Sequence, residues 1–75
     1  MELEFNGPVI KELRRAKGWS LERLARSINR RSARPLSRSA VAQWESGATR
    51  PDMEHFCALA LALGESDLNV FFREP

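Results

Sequence analysis

Residues 36–51, Leu-Ser-Arg-Ser-Ala-Val-Ala-Gln-Trp-Glu-Ser-Gly-Ala-Thr-Arg-Pro, carry the strongest structural signals in the chain. Ser37 is a residue type favoured as a helix N-cap, and Gly47 provides the left-handed conformation that commonly ends a helix. The apolar positions between them have helical spacing and would face inward: Ala40, Val41 and Trp44. The stretch therefore predicts a short helix over residues 38–46.

Two further helices are expected before this stretch. Pro8 is favoured at the first helical position, so the first helix should run from Pro8 to about Lys17, where Gly18 ends it. Ser20 should cap a second helix. Both helices have an apolar stripe at helical spacing: Val9, Ile10, Leu13 and Ala16 in the first, and Leu21, Leu24, Ala25 and Ile28 in the second.

Two helices are expected after it. Asp52 should cap a fourth helix that ends before Gly64, and Ser66 could cap a short fifth helix. The fifth would carry three apolar residues: Leu68, Phe71 and Phe72. Five short helices with short connections predict an all-α fold, a compact five-helix bundle that forms one domain over residues 1–75.

Composition excludes several classes of protein. A chain of 75 residues is too small for a two-lobed enzyme, although 43% hydrophobic residues are enough for one small core. One cysteine cannot form an internal disulfide, and one His with one Cys is too few for a structural zinc site. No apolar run approaches a membrane span, and the acidic N-terminus is unlike a signal peptide. We therefore expect a soluble cytoplasmic protein.

The small net charge of +2 conceals a strong asymmetry. Residues 11–50 contain eleven of the twelve Lys and Arg residues and three acidic residues, a net charge of +8. The remaining residues contain Arg73 and seven acidic residues, a net charge of −6. This pattern favours a half that faces a polyanion, although an unevenly charged solvated surface is the alternative.

The second and third helices, joined by a turn, have the helix-turn-helix arrangement, in which the later helix can lie in a DNA major groove. The segments 18–25, 36–47, 50–52 and 60–64 make the sequence similar to the lambda-repressor-like helix-turn-helix family, also called the Cro/repressor or XRE type. The similarity covers roughly residues 9–72, and its most specific part is Trp-Glu-x-Gly-x-x-x-Pro at 44–51.

The resemblance implies that helix 38–46 reads DNA bases. Arg38, Ser39 and Gln43 match base-reading positions of the family, and Ala42 lies on the same exposed side. Arg can donate two hydrogen bonds to guanine, Gln can pair with adenine, and the alanine methyl can contact a thymine methyl. The alternative is that these residues only solvate a surface helix.

The resemblance also implies contacts with DNA phosphates. Ser20 matches the start of the family's second helix, whose backbone N–H groups bind a phosphate, but Leu21 stands where a polar side chain is common. Ser46, Thr49 and Arg50 match the loop that meets the DNA backbone. A further implied pair is structural: Arg14 and Glu45 would tie the first helix to the end of the recognition helix.

The turn departs from the family pattern. Eight residues, 29–36, precede the cap Ser37, where the family has a link of about three. The added arginines Arg30, Arg31 and Arg34 suggest a phosphate or minor-groove contact. The alternative is a solvated loop. Because the entropy of closing a loop rises only slowly with its length, the insertion need not destabilise the fold.

These patterns predict a sequence-specific transcriptional regulator, expected to be a repressor, that binds double-stranded DNA as a homodimer. The competing hypothesis is a protein-interaction module, such as an antitoxin or adaptor. We expect no enzyme activity, cofactor or metal, with His55 on the helix surface and Cys57 in the core. The apolar run 56–63 and the tail 70–72 are the candidate dimer surfaces.

Overall fold

The computed structural model describes residues 2–75, which form four α-helices, one 3₁₀ helix and two short strands. In chain order the elements are β1 (Glu4–Phe5), α1 (Gly7–Ala16), α2 (Leu21–Asn29), α3 (Arg38–Ser46), α4 (Met53–Leu63), the 3₁₀ helix (Leu68–Phe71) and β2 (Phe72–Arg73). The fold is therefore mostly helical with a small sheet, and α3 has the predicted limits.

Local hydrogen bonds explain where the helices begin and end. The Ser37 hydroxyl accepts a hydrogen bond from the first turn of α3 at 3.2 Å, and the Asp52 carboxylate accepts one from the first turn of α4 at 2.9 Å. Gly47 and Gly64 end these helices with φ angles of 85° and 68°. Because an L side chain is strained in that conformation, glycine is favoured at both positions.

The prediction of a fifth α-helix is wrong. The chain after α4 forms only a single 3₁₀ turn before it extends into β2. Asp67, rather than Ser66, caps this turn, and its carboxylate accepts a hydrogen bond from the backbone N–H of Asn69 at 3.1 Å. An α-helix could not continue here because residues 72 and 73 pair with β1.

The two strands join the ends of the chain in an antiparallel ribbon. Phe5 lies opposite Phe72, and Glu4 lies opposite Arg73. An ion pair of 2.8 Å between Arg73 Nε and Glu4 Oε1 reinforces the ribbon. Strands of two residues are too short to produce the alternation by which a strand is recognised in a sequence, which is why neither was predicted.

The hydrophobic core lies between the four α-helices and is closed by the 3₁₀ helix. Its largest fully buried side chains are Phe71, Ile10, Leu24, Ile28, Leu59 and Val41. Trp44 is also buried, as predicted. The Phe56 ring packs edge-on against Phe71, with 5.4 Å between ring centroids, and thereby connects α4 to the 3₁₀ helix.

Two side chains of α4 occupy environments opposite to those predicted. His55 is buried, with its ring beside Trp44 and Nε2 3.0 Å from the carbonyl oxygen of Arg34. Cys57 is exposed. His55 lies four residues before Leu59 and so shares its inward face, whereas Cys57 is rotated about 200° from His55. The apolar run hid this register because it offers no polar face.

Candidate nucleic-acid interface

The four side chains predicted to read bases lie together on the outer side of α3. Arg38, Ser39 and Gln43 are exposed, and Ala42 is half-buried beside them. The opposite side of the helix is anchored by the buried residues Val41 and Trp44. The core thus fixes the rotation of α3 and leaves a face with a guanidinium, a hydroxyl, a methyl and a carboxamide in solvent. We call these four residues the α3 face.

The α3 face has one weak ion pair. Arg38 Nη1 lies 3.4 Å from Glu22 Oε1, and both side chains are well exposed. Exposed pairs of this kind contribute at most about 1 kcal/mol, and salt screens them. Arg38 can therefore leave Glu22 for another partner at little energetic cost.

Arg14 and Glu45 hold α1 against the end of α3. Two hydrogen bonds join them, Arg14 Nε to Glu45 Oε2 at 2.8 Å and Arg14 Nη2 to Glu45 Oε1 at 3.0 Å. Arg14 Nη1 also donates to the carbonyl oxygen of Trp19 at 2.8 Å. The hydrogen bond to Glu45 raises the pKa of Arg14. This fork restrains the angle between α1 and α3.

A glycine brings the same two helices into close contact. An added Cβ at Gly7 would lie only 1.9 Å from the carbonyl oxygen of Trp44. No side chain fits at that distance, so the approach of α1 to the end of α3 requires glycine. Gly7 was not predicted to have this role because it precedes Pro8 and resembles an ordinary helix start.

A shallow cleft of about 400 Å³ between α1 and α3 adds two cationic side chains that the sequence had not suggested for the site. Lys11 and Arg15 line it on α1, while Ala42 and Ser46 line it on α3. Each pair is separated by four residues, which places both members on one side of their helix. That spacing was visible in the sequence, but which faces of α1 and α3 meet was not.

The start of α2 borders this cleft. Leu21, the departure from the family pattern, is half-buried and also lines it. The Ser20 hydroxyl accepts a hydrogen bond from the backbone N–H of Arg23 at 3.1 Å. Several N–H groups at the start of a helix have no partner within it; Ser20 takes that of Arg23, and those of Leu21 and Glu22 are left for an external acceptor.

The loop after α3 carries the remaining predicted phosphate contacts. Thr49 and Arg50 are exposed. The Ser46 hydroxyl donates to the carbonyl oxygen of Gln43 at 3.0 Å, so it serves the end of α3 in this structure.

Residues 30–37, which we call the α2–α3 loop, are held at both ends by polar contacts. The Asn29 side chain bonds both backbone groups of Leu36, donating to its carbonyl oxygen at 3.0 Å and accepting from its N–H at 2.8 Å. Arg31 Nη1 donates to the carbonyl and hydroxyl oxygens of Ser27 at 3.0 and 2.9 Å. The loop therefore has a defined path.

The middle of this loop is bound to the first turn of α4. Glu54 Oε2 accepts hydrogen bonds from the Ser32 hydroxyl at 2.9 Å and from the Ala33 N–H at 2.7 Å. Arg34 forms ion pairs with Asp52 and with Glu54. Of the three loop arginines, Arg34 is thus engaged by acidic residues, Arg31 is bonded to Ser27, and Arg30 is exposed.

These contacts shift the acidity of both carboxyl groups. The pKa of Asp52 is lowered, chiefly by the hydrogen bond from the His55 N–H and next by Arg34. The pKa of Glu54 is lowered, chiefly by the Ser32 hydroxyl and the Ala33 N–H. The hydrogen bonds to Asp52 and Glu54 raise the pKa of Arg34. Arg34, from the basic part of the sequence, is thus paired with Asp52 and Glu54, from the acidic part.

Two other kinds of functional feature are absent from residues 2–75. No group of three or more His, Cys, Asp or Glu residues in that range could hold a metal ion. Within the same range no helix is long and apolar enough to cross a membrane.

Four helices around one core, with the exposed α3 held by a buried ion pair, define a helix-turn-helix protein. A helix-turn-helix family model matches residues 10–70, and the chain belongs to this lambda-repressor-like (XRE) family. Membership indicates a DNA-binding regulator of transcription, a class that is generally not enzymatic. Searches of curated proteins and of solved structures gave no significant match.

Proposed function

We propose that this chain is a sequence-specific repressor that reads the major groove of double-stranded DNA with α3. The α3 face carries the proposal: it combines a guanidinium, a hydroxyl, a methyl and a carboxamide on one exposed side of a helix that the core holds in place. Arg38 and Gln43 have the donors and acceptors for guanine and adenine edges. Repression is the proposed direction because occupying a DNA site requires no surface beyond the reading head.

The proposed phosphate contacts surround this face. We retain Ser20, Ser46, Thr49 and Arg50 in that role and add Lys11 and Arg15, which line the cleft beside Ala42. Backbone N–H groups at the start of α2 would bind a phosphate irrespective of the apolar side chain of Leu21. These contacts would set the register of α3 in the groove and supply salt-sensitive affinity.

The α2–α3 loop is proposed as an enlargement of the family's turn that adds further phosphate contacts. Arg30 is the best placed of its arginines because its side chain is exposed. Arg31 and Arg34 already have partners and would have to exchange them for phosphate oxygens. A contact by Arg34 would release Asp52 and Glu54, so binding there would be coupled to a change in the loop.

The proposal includes a homodimer, because one domain of this size reads too few base pairs for adequate specificity. Met53, Cys57 and Leu61 follow one another at four-residue spacing on the exposed side of α4, and Met53 and Leu61 are 75% and 65% exposed. This stripe is the proposed contact. The tail is less suitable, since Phe71 is fully buried in the chain's own core.

The same stripe supports the competing proposal, a protein-interaction module that uses the fold as a scaffold. In that case Leu61→Glu would abolish binding of the partner without affecting duplex DNA. In the repressor proposal, Leu61→Glu converts dimer to monomer in sedimentation and weakens binding to a palindromic site far more than binding to a half-site. We propose a cytoplasmic location, which agrees with a role in binding DNA.

Base reading is tested with duplexes selected from a random pool. Arg38→Ala or Gln43→Ala should weaken binding to the selected duplex by about 1–3 kcal/mol and binding to random duplex much less. Arg73→Ala is the matched control, because Arg73 is an exposed arginine paired with Glu4 on the end ribbon. Equal losses on both duplexes would remove base reading from the proposal. No duplex binding by the unmodified chain at low salt would overturn it entirely.

A further inference from the structure

The outer side of α2 has a small hollow, and of the residues that line it only Arg30 is among the proposed DNA contacts. It has a volume of about 110 Å³ and is lined by Trp19, Arg23, Arg26, Ser27 and Arg30. Pockets for organic ligands generally exceed about 300 Å³, so the space suits a single compact group. We call it the α2 hollow.

The hollow is strongly cationic. Within residues 2–75, acidic side chains form ion pairs with Arg14, Arg34, Arg38 and Arg73 but with none of the three arginines of the hollow. A fourth guanidinium adjoins it, because Arg31 Nη1 donates to the Ser27 hydroxyl at 2.9 Å. The hollow therefore brings together three arginines that form no ion pair in the described part of the chain.

This arrangement is unfavourable for the helix itself. Arg23 and Arg26 are three residues apart, and Arg26 and Arg30 are four apart, the spacings at which like charges repel on a helix. The helix dipole favours cations near the C-terminal end of α2, which accounts for Arg26 and Arg30. It does not account for Arg23 in the first turn, where a cation is disfavoured.

Trp19 holds one of these cations in place. Arg23 Cζ and Lys17 Nζ both lie 5.1 Å from the centroid of the Trp19 ring. Such contacts orient a guanidinium without neutralising it, so its hydrogen-bond donors remain available. Trp19 also places an optical probe in the wall of the hollow.

No residue of the α3 face lines the hollow. The contact between α2 and α3 involves Glu22, which pairs with Arg38, and Asn29, which bonds Leu36. Ser27 is rotated by about 140° from Glu22 around the helix and Arg23 by about 100°, whereas Arg26, four residues after Glu22, lies on the same side as Glu22. A group bound in the hollow would therefore use side chains other than those that the α3 face offers to a base edge.

We infer that the α2 hollow is a binding site for a phosphate group, separate from the base-reading face of α3. Several guanidinium forks around one compact space match the oxygens of phosphate better than a single carboxylate, since each fork can bond two oxygens. The phosphate can come from a DNA strand beside the reading face or from a small phosphorylated ligand. Only the first source rests on the proposed function.

The first experiment measures Trp19 fluorescence while sodium tripolyphosphate is added at constant ionic strength. The buried Trp44 provides a constant background. The unmodified chain should show a saturable change and a higher Tm, because the ligand binds only the folded state. The double variant Arg23→Gln/Arg26→Gln should lose the saturable change.

A matched control separates the hollow from general charge. Arg73→Gln removes one guanidinium charge from the end ribbon, outside the hollow and outside the proposed DNA contacts, and should retain the response to tripolyphosphate, whereas the single variant Arg23→Gln should weaken it. No saturable response in the unmodified chain, or the same response in Arg73→Gln and Arg23→Gln, would overturn the inference. The latter result would mean that fluorescence reports only the net charge.

A second measurement assigns the source of the phosphate. Binding to a random duplex is measured from 50 to 200 mM salt for the unmodified chain and the hollow variant. If DNA supplies the phosphate, the slope of log K against log salt falls in magnitude by about 1 for each phosphate that the variant no longer binds. An unchanged slope with a retained tripolyphosphate response in the unmodified chain assigns the hollow to a small phosphorylated ligand. The Arg38 experiment tests the repressor proposal independently.

Discussion

The contact between α1 and α3 and the contact between the α2–α3 loop and α4 both use arginine–carboxylate pairs, yet they differ in exposure. Arg14 and Glu45 expose only 10% and 8% of their side chains. Arg34 exposes 57%, and its partners Asp52 and Glu54 expose 45% and 39%. Burial makes the first pair difficult to break, whereas water and salt compete directly for the second.

This difference separates the part of the molecule that must be rigid from the part that can rearrange. Base reading requires a fixed orientation of α3, and the buried fork provides it. The loop has a defined path in the free chain, but its anchor consists of exposed groups that a phosphate could replace. The following predictions test this contrast, beginning with the largest expected effect.

The closest contact in the rigid region is the most sensitive. Gly7→Ala places a methyl group against the Trp44 carbonyl, so α1 must move away from α3. We expect a loss of about 3 kcal/mol in the free energy of unfolding, at the upper end for overpacking. Urea denaturation measures it, with Lys11→Ala on the exposed side of α1 as the control. A loss below 0.5 kcal/mol, on the order of an exposed surface substitution, would show that the two helices separate easily.

The buried ion pair gives the next largest effect. Glu45→Gln retains the shape of the side chain but removes the charge that balances Arg14, so stability should fall by about 2 kcal/mol. DNA affinity should fall beyond what unfolding explains, because the angle of α3 is less restrained. If affinity is unchanged when the variant is fully folded, the fork supports only stability.

The exposed contacts between the α2–α3 loop and α4 should respond to substitution only locally. Glu54→Gln weakens the contacts with Ser32, Ala33 and Arg34, so hydrogen exchange of the Ala33 amide should accelerate. Tm should change little, because the core remains intact. A large fall in Tm would mean that the loop is part of the cooperative core, and the contrast between the two contacts would disappear. Glu65→Gln, after α4, serves as the control.

Acidification is expected to give the smallest effect of the four. It should weaken the contacts of the α2–α3 loop before it affects the core. Because the pKa values of Asp52 and Glu54 are lowered in the folded chain, their stabilising contribution is complete above the ordinary carboxyl pKa, about 4. It is lost as the pH falls through the lower folded values. The Ala33 amide resonance in a pH titration should therefore be constant from pH 7 to 5 and shift below 4. A shift centred at pH 6 would contradict this assignment.

The sequence was sufficient to predict elements whose signals are local. Ser37 and Gly47 predicted α3 correctly because a cap and a left-handed glycine act within one turn. Four helices and the family followed from similar signals. The ribbon and the 3₁₀ helix could not be predicted, since pairing of residues 4 and 73 depends on the folded core that brings them together.

Only part of the candidate site could be predicted from the sequence. The exposure of Arg38 and Gln43 followed from the inward positions of Val41 and Trp44 on the same helix. The predicted environments of His55 and Cys57 are the reverse of the observed ones, because the surrounding run is apolar on every side and does not indicate which side faces inward. Two features depend on contacts between elements distant in sequence: the ion pairs of Arg34 with Asp52 and Glu54, and the cleft that Lys11 and Ala42 line together.

The pairing of β1 with β2 also determines how the molecule responds to mechanical load. The two ends leave the ribbon side by side, because Glu4 lies opposite Arg73 in an antiparallel pair. Tension applied between the ends would separate the strands from their open side, loading the hydrogen bonds one after another instead of together. In an optical trap the ribbon should therefore peel at low force before the helices separate.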